Sequence, residues 1–180
     1  MKKNLTIPFC FFAILIAVAN INTGCGIYSF SERGSNALPD TIKTVNIRLI
    51  ENRAPYNNPQ LSPNLTERLK QKINNQTRLS QTNSDNAHWI IEGTITDYSV
   101  STSGITSTNG QSQTSINRLT VTVAVTVTDT RSSEPPKEIS VSRQFDFGAN
   151  QSLQAAEARL LDEMVRNLTD EIFNRLFSDW

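Results

Sequence analysis

The sequence predicts an α+β fold: a two-layer sandwich in which a four-stranded mixed sheet carries two helices on one face, in the chain order β-α-β-β-β-α. Three observations lead there. Four segments alternate apolar and polar residues, so each is a strand with one buried and one wet face. Two segments repeat their apolar residues every four positions, so each is a helix with one buried stripe. Both stripes need cover and the sheet offers one dry face, so the helices share it.

The first strand is Thr44 to Leu49 (TVNIRL), with Val45, Ile47 and Leu49 on one side. A turn-rich loop, ENRAPYNNPQ, follows. Ser62-Pro63 opens the first helix, with proline where no helical N–H is needed. Leu61, Leu65, Leu69 and Ile73 form its stripe, and Asn74-Asn75 ends it. Trp89 to Val100 (WIIEGTITDYSV) is β-rich, with Gly93 marking a candidate bulge. Asn117 to Thr128 (NRLTVTVAVTVT) alternates without a break: Leu119, Val121, Val123, Val125 and Val127 on one face, Thr120, Thr122, Ala124, Thr126 and Thr128 on the other. After RSSEPPK, Glu138 to Phe147 keeps Ile139, Val141, Phe145 and Phe147 inward, while Arg143 breaks that face and belongs near its edge. The last helix runs from Ser152 to about Phe177 on Leu160, Met164, Leu168, Ile172 and Leu176. Asp162–Arg166 and Glu171–Arg175 are acid-first i,i+4 pairs. A helix between the first two strands permits a parallel pair, whereas the short later connections make antiparallel neighbours.

The amino terminus is of a different kind. Lys2 and Lys3 precede an apolar run from Leu5 to Ile21, slightly short for a membrane span and interrupted by Pro8. A basic start, an apolar stretch and small residues at its end make a secretory signal, residues 1–24. The run ends in Thr23-Gly24-Cys25, which resembles a lipobox, although Asn22 stands where that motif prefers Leu. Cys10 lies within the signal, so the processed chain keeps one cysteine, at its own first position. A lone thiol is unusual in an oxidising compartment. Cys25 is therefore expected to be an acylated attachment point, where two or more acyl chains give stable membrane binding. The alternative is an unanchored periplasmic chain with a free thiol.

Residues 25–40 are rich in Gly, Ser, Asn and Pro and are expected to form a tether. Residues 41–180 make one domain. The processed chain carries 15 basic and 17 acidic residues. Without a basic excess, nucleic acid is not an expected partner.

Chemical motifs are scarce. His88 is the only histidine, too little for a metal centre, and it reads as a rim residue at a strand start. There is no Gly-rich phosphate loop and no calcium-loop spacing. No cofactor, metal or catalytic residue is expected, and the protein reads as non-enzymatic. Ser101 to Ser115 (STSGITSTNGQSQTS) carries no charge, and is either a plain hairpin loop or a loop that probes a partner or lipid. Asp40-Thr41-Ile42 matches a short periplasmic O-glycosylation pattern, but ordinary linker sequence matches it as well.

Several stretches resemble a known family. CGIYSFS after the signal, NRAPYNNPQLSPNLTERLKQKI, IIEGTITDYSV and NRLTVTVAVTVTD are similar, in the same order, to LPS-assembly lipoproteins of the LptE family. The resemblance implies a periplasm-facing lipoprotein at the outer membrane. It would plug and help assemble the LptD β-barrel, which delivers lipopolysaccharide to the cell surface, and would contact lipopolysaccharide. The expected interface is the uncharged row Thr120, Thr122, Thr126 and Thr128, since a barrel lumen is polar and wet. Arg118, Arg131 and Lys137, basic groups near strand ends, are candidates for lipopolysaccharide phosphates, or else solvated loop charges. The competing function is a lipid-anchored regulator of a cell-wall enzyme or a lipid carrier.

Overall fold

The computed structural model describes residues 41–103 and 116–178, all within one compact unit, Gly34–Trp180. Cys25, the signal, the tether and most of the Ser101–Ser115 segment lie outside the described residues.

Among the described residues, six strands and two helices make the two layers. The strands are β1 (Thr44–Ile47), β2 (Glu51–Asn52), β3 (Ser80–Gln81), β4 (Trp89–Ser103), β5 (Ile116–Asp129) and β6 (Lys137–Gly148). The helices are α1 (Leu61–Gln76) and α2 (Leu153–Ser178). The sheet order is β3-β1-β4-β5-β6, with β2 also on β4. β1 pairs parallel with β4, and the β4–β5 and β5–β6 pairs are antiparallel, as the connections imply. Four strands were legible as alternating segments. The other two are only two residues long, too short to show a period.

The core lies between the sheet and the helices. β5 sends Leu119, Val121, Val123, Val125 and Val127 into it, and all are buried. From α1 come Leu61, Leu65, Leu69 and Ile73; from α2, Leu160, Met164, Leu168, Ile172 and Leu176. Trp89, fully buried, stacks on Phe177 at 6.1 Å between ring centroids. Arg143 does interrupt the inner face, on β6 at the open edge of the sheet, and donates to Glu171 of α2. Glu171 also accepts from Arg175 at 3.1 Å, closing the expected i,i+4 pair; Asp162 and Arg166 form no ion pair among the described residues.

Two expectations need correction. Gly93 does not mark a bulge: the β4–β5 register slips between Ile95 and Asp97, with Thr96 the extra residue. Gly93 is needed for close approach, since a Cβ there would lie 2.8 Å from Cγ1 of Ile50. Leu49 does not face inward with Val45 and Ile47. Ile47 pairs with Ile91 but Glu51 with Thr94, so one extra residue enters the edge segment alongside β4. That residue reverses the phase of the chain: Ile50 turns into the core, 1% exposed, and Leu49 turns out, 60% exposed. α1 secures this irregular turn. The amide of Ile50 donates to Thr66 Oγ1 at 3.0 Å, and Ser62 Oγ donates to the carbonyl of Ile50. Ser62 is thus spent on the strand and not on capping its helix, which begins at Leu61.

Candidate functional site

The candidate interface is the face of the sheet turned away from the helices. Its centre is β5. Inward valines alternate with Thr120, Thr122, Ala124, Thr126 and Thr128, all partly exposed. Branched residues on both faces suit an extended, pleated backbone. The register sets their neighbours. Thr120 lies between Ser99 and Gln144, Thr122 between Asp97 and Ser142, and Ala124 between Thr94 and Ser140. Thr126 lies between Glu92 and Glu138. Thr122 Oγ1 donates to Ser142 Oγ at 3.1 Å, and Thr96 Oγ1 donates to the Thr122 carbonyl at 3.4 Å. The structure therefore brings the four threonines together on one face, in a band of small polar side chains bordered by Asp97, Glu92 and Glu138, with the Arg118–Asp146 pair next along the same face.

The three basic candidates are not one cluster. Arg118 sits near the start of β5, Arg131 just beyond its end, and Lys137 opposite Val127 near that same end. Arg118 grips Asp146 through Nε (2.7 Å) and Nη2 (2.9 Å). That contact raises the guanidinium's pKa and holds the Asp146 carboxyl below its ordinary range. Arg131 donates to Asp129 through Nε (3.2 Å) and Nη2 (3.0 Å), which holds the Asp129 carboxyl below its ordinary range, and through Nη1 to the Thr41 carbonyl (2.7 Å). Both arginines thus already have carboxylate partners.

At the side of the face near β1 and β2 lies a hollow of about 310 Å³. Leu49, Gly93, Thr94, Ala124 and Thr126 line it, with Arg48, Glu51, Arg53 and Glu92 around them. Arg48 bridges Glu92 and Asp85 (3.0 Å to Asp85), and Arg53 donates to Glu51 at 2.7 Å. Sequence reasoning missed this hollow because Leu49 was expected inside.

At the opposite side of the domain a groove of about 660 Å³ separates the helices, lined by Arg68, Arg159 and Arg166 together with Glu67, Asp162 and Glu163. His88 closes the sheet rim. Its Nδ1 accepts the Lys43 amide at 3.0 Å, its amide donates to Thr44 Oγ1 at 2.9 Å, and its carbonyl accepts the Thr130 amide at 3.0 Å. Among the described residues no group of three or more His, Cys, Asp or Glu is placed to hold a metal, and no helix is long and apolar enough to cross a membrane.

Residues 42–176 match a family described as LptE: Lipopolysaccharide-assembly. No curated protein matches the chain. Among solved structures, the fold is similar to a putative neuraminyllactose-binding hemagglutinin homolog from Helicobacter pylori, with TM-score 0.55 and 10% identity over 82% of this chain and 89% of that one. Uncharacterized lipoprotein B from Nitrosomonas europaea gives 0.47 and 21%, over 78% and 84%. The rare lipoprotein B from Shewanella oneidensis gives 0.45 and 10%, over 76% and 95%.

Proposed function

The chain belongs to the LptE lipopolysaccharide-assembly family, and from that premise we propose that it is a non-catalytic outer-membrane lipoprotein, anchored through acylated Cys25 and facing the periplasm. It plugs and helps assemble an LptD-like β-barrel and so supports lipopolysaccharide transport to the cell surface. The observation that carries this is the extent of the family match, which takes in every strand and nearly all of both helices.

In this reading the outer sheet face meets the barrel wall through Thr120, Thr122, Thr126 and Thr128. A buried unpaired charge costs several kcal/mol, whereas a hydroxyl bridged by water loses only about 0–2 kcal/mol. Short hydroxyls suit a tight, wet lumen for that reason. Lipopolysaccharide contact at Arg118, Arg131 and Lys137 has less support, because a phosphate would have to displace Asp146 from Arg118 and Asp129 from Arg131.

The test is affinity purification of the full lipoprotein from its own outer membrane in mild detergent. Recovery of a large β-barrel protein together with lipopolysaccharide is the expected result. Recovery of a cell-wall synthase, or of free phospholipid without a barrel, overturns the assignment.

A further inference from the structure

Leu49 is the most exposed of the large apolar side chains on the described surface, at 60%. Its exposure is not incidental. The alternation of TVNIRL would place it in the core beside Val45 and Ile47. One inserted residue turns it outward and sends Ile50 inward in its stead. Such an insertion leaves backbone groups without ladder partners, and here they are satisfied by dedicated side chains, Thr66 on the amide of Ile50 and Ser62 on its carbonyl. Bulges of this kind are used to re-aim a side chain.

The surroundings of Leu49 are specific. It borders the 310 Å³ hollow, whose lining includes Ala124, the smallest side chain on the outer face of β5 and the one break in the threonine row. Around the hollow, Arg48 is bonded to Glu92 and Asp85, and Arg53 to Glu51. Both guanidiniums are thus held by carboxylates, and two cations against three anions leave the surroundings with one net negative charge, so the exposed Leu49 stands among closed ion pairs. A free anion gains little there, since no cation is left unpaired among these residues and the net charge is negative. A protein partner that supplies an apolar side chain gains a desolvated centre within a polar rim, the usual layout of an interface hot spot. The hollow also shares Ala124 and Thr126 with the outer face, so it is continuous with the threonine band.

We propose that Leu49 and the adjoining hollow over Ala124 form an apolar anchor that docks against an apolar or aromatic side chain on the inner wall of the β-barrel partner. The proposal rests on the reading of the outer face as the barrel contact, and deepens it by naming a centre.

The test compares Leu49→Ala, Leu49→Asp and Leu49→Met in the full lipoprotein, reading barrel recovery in detergent and the melting of the purified full chain. Thr122→Lys with Thr126→Lys serves as the separate probe of the threonine band. The expected result is a fall in recovery of about tenfold or more for Ala and Asp, near-normal recovery for Met, and unchanged melting. Normal recovery with Leu49→Asp, while the threonine variant loses the barrel, overturns the anchor and leaves the face standing. Loss of recovery that tracks a loss of melting temperature assigns Leu49 to the fold and overturns the anchor. A concentration-dependent dimer of the purified chain that Leu49→Asp abolishes makes a second copy the occupant and also overturns it. Normal recovery with every variant overturns both the anchor and the outer-face contact.

Discussion

The phenolic O–H of Tyr98 donates to one carboxylate oxygen of Glu157 at 2.6 Å, while that of Tyr56 donates to the other at 3.1 Å. The two rings stack with centroids 5.3 Å apart. Glu157 is buried. Three distant parts of the chain meet here: the loop before α1, the middle of β4 and the first turns of α2.

Removing the shorter bond tests its weight. Tyr98→Phe should destabilise the protein by about 1.5–3 kcal/mol, the range for a lost bond to a charged group, as measured in denaturant melts. The pH dependence has a definite sign. Burial first, and then the bond to Glu157, raise the pKa of Tyr98 above its ordinary value of 10.0. The folded protein therefore favours the neutral phenol. Its contribution to stability is complete below about pH 10 and is lost as pH rises beyond it. Above pH 10 the wild type should lose stability faster than Tyr98→Phe. Parallel curves for the two proteins would assign the alkaline loss to other groups.

Gly93 makes the second prediction. A methyl group there meets Cγ1 of Ile50 at 2.8 Å, Cγ2 at 3.3 Å and Cβ at 3.4 Å. Ile50 has little freedom to retreat, because its amide and carbonyl are tied to Thr66 and Ser62. Gly93→Ala should cost about 1–3 kcal/mol, the usual range for overpacking. In an Ile50→Ala background the same change should cost much less, a coupling that a double-mutant cycle measures directly.

Leu69 and Leu168 are both fully buried, one on each helix. Truncation of either to Ala should cost about 2–5 kcal/mol. A loss within error for one of them would mean that its helix is not held by the shared core.

What the sequence made legible was set by range. The alternation of β5 and the stripes of α1 and α2 are local periods, and Val121, Leu69 and Leu168 could be placed from their immediate neighbours. The turn at Leu49 could not. It depends on Ser62 and Thr66, which lie a helix turn or more beyond the strand and read on their own as an ordinary helix start. Tyr56 was hidden in a loop because its partner Glu157 stands 101 residues away. The threonine band was visible on β5 alone. Its continuation through Ser99, Ser140 and Ser142 needed the strand register, and the acidic border at Glu92 and Glu138 emerged only with it. The family resemblance read from short stretches agrees with the match over residues 42–176.

Cys25 calls for a localisation experiment. Cys25→Ala should yield a folded chain that leaves the outer-membrane fraction in cells lacking the barrel partner. The partner must be absent, since interface contacts alone can retain the chain. Unchanged membrane fractionation under those conditions would count against an acyl anchor.

The last prediction concerns the threonine band. Thr122 faces Asp97 on β4, and Thr126 lies between Glu92 and Glu138. A lysine at either position therefore points into solvent beside a carboxylate, and the electrostatic gain at so exposed a site is about 0–1 kcal/mol. Thr122→Lys combined with Thr126→Lys should leave the melting of the purified full chain almost unchanged. Against a closely fitted barrel wall the outcome differs. Two long cationic side chains must either be held in a confined space away from bulk water or force the face off the wall. Co-purification of the barrel should therefore fall, and adding salt should not restore it, because the obstacle is volume and desolvation and not long-range repulsion. Barrel recovery equal to wild type with both lysines in place would move the interface off this face. The helix groove between α1 and α2 would then be the next surface to probe by charge reversal at Arg159 and Arg166.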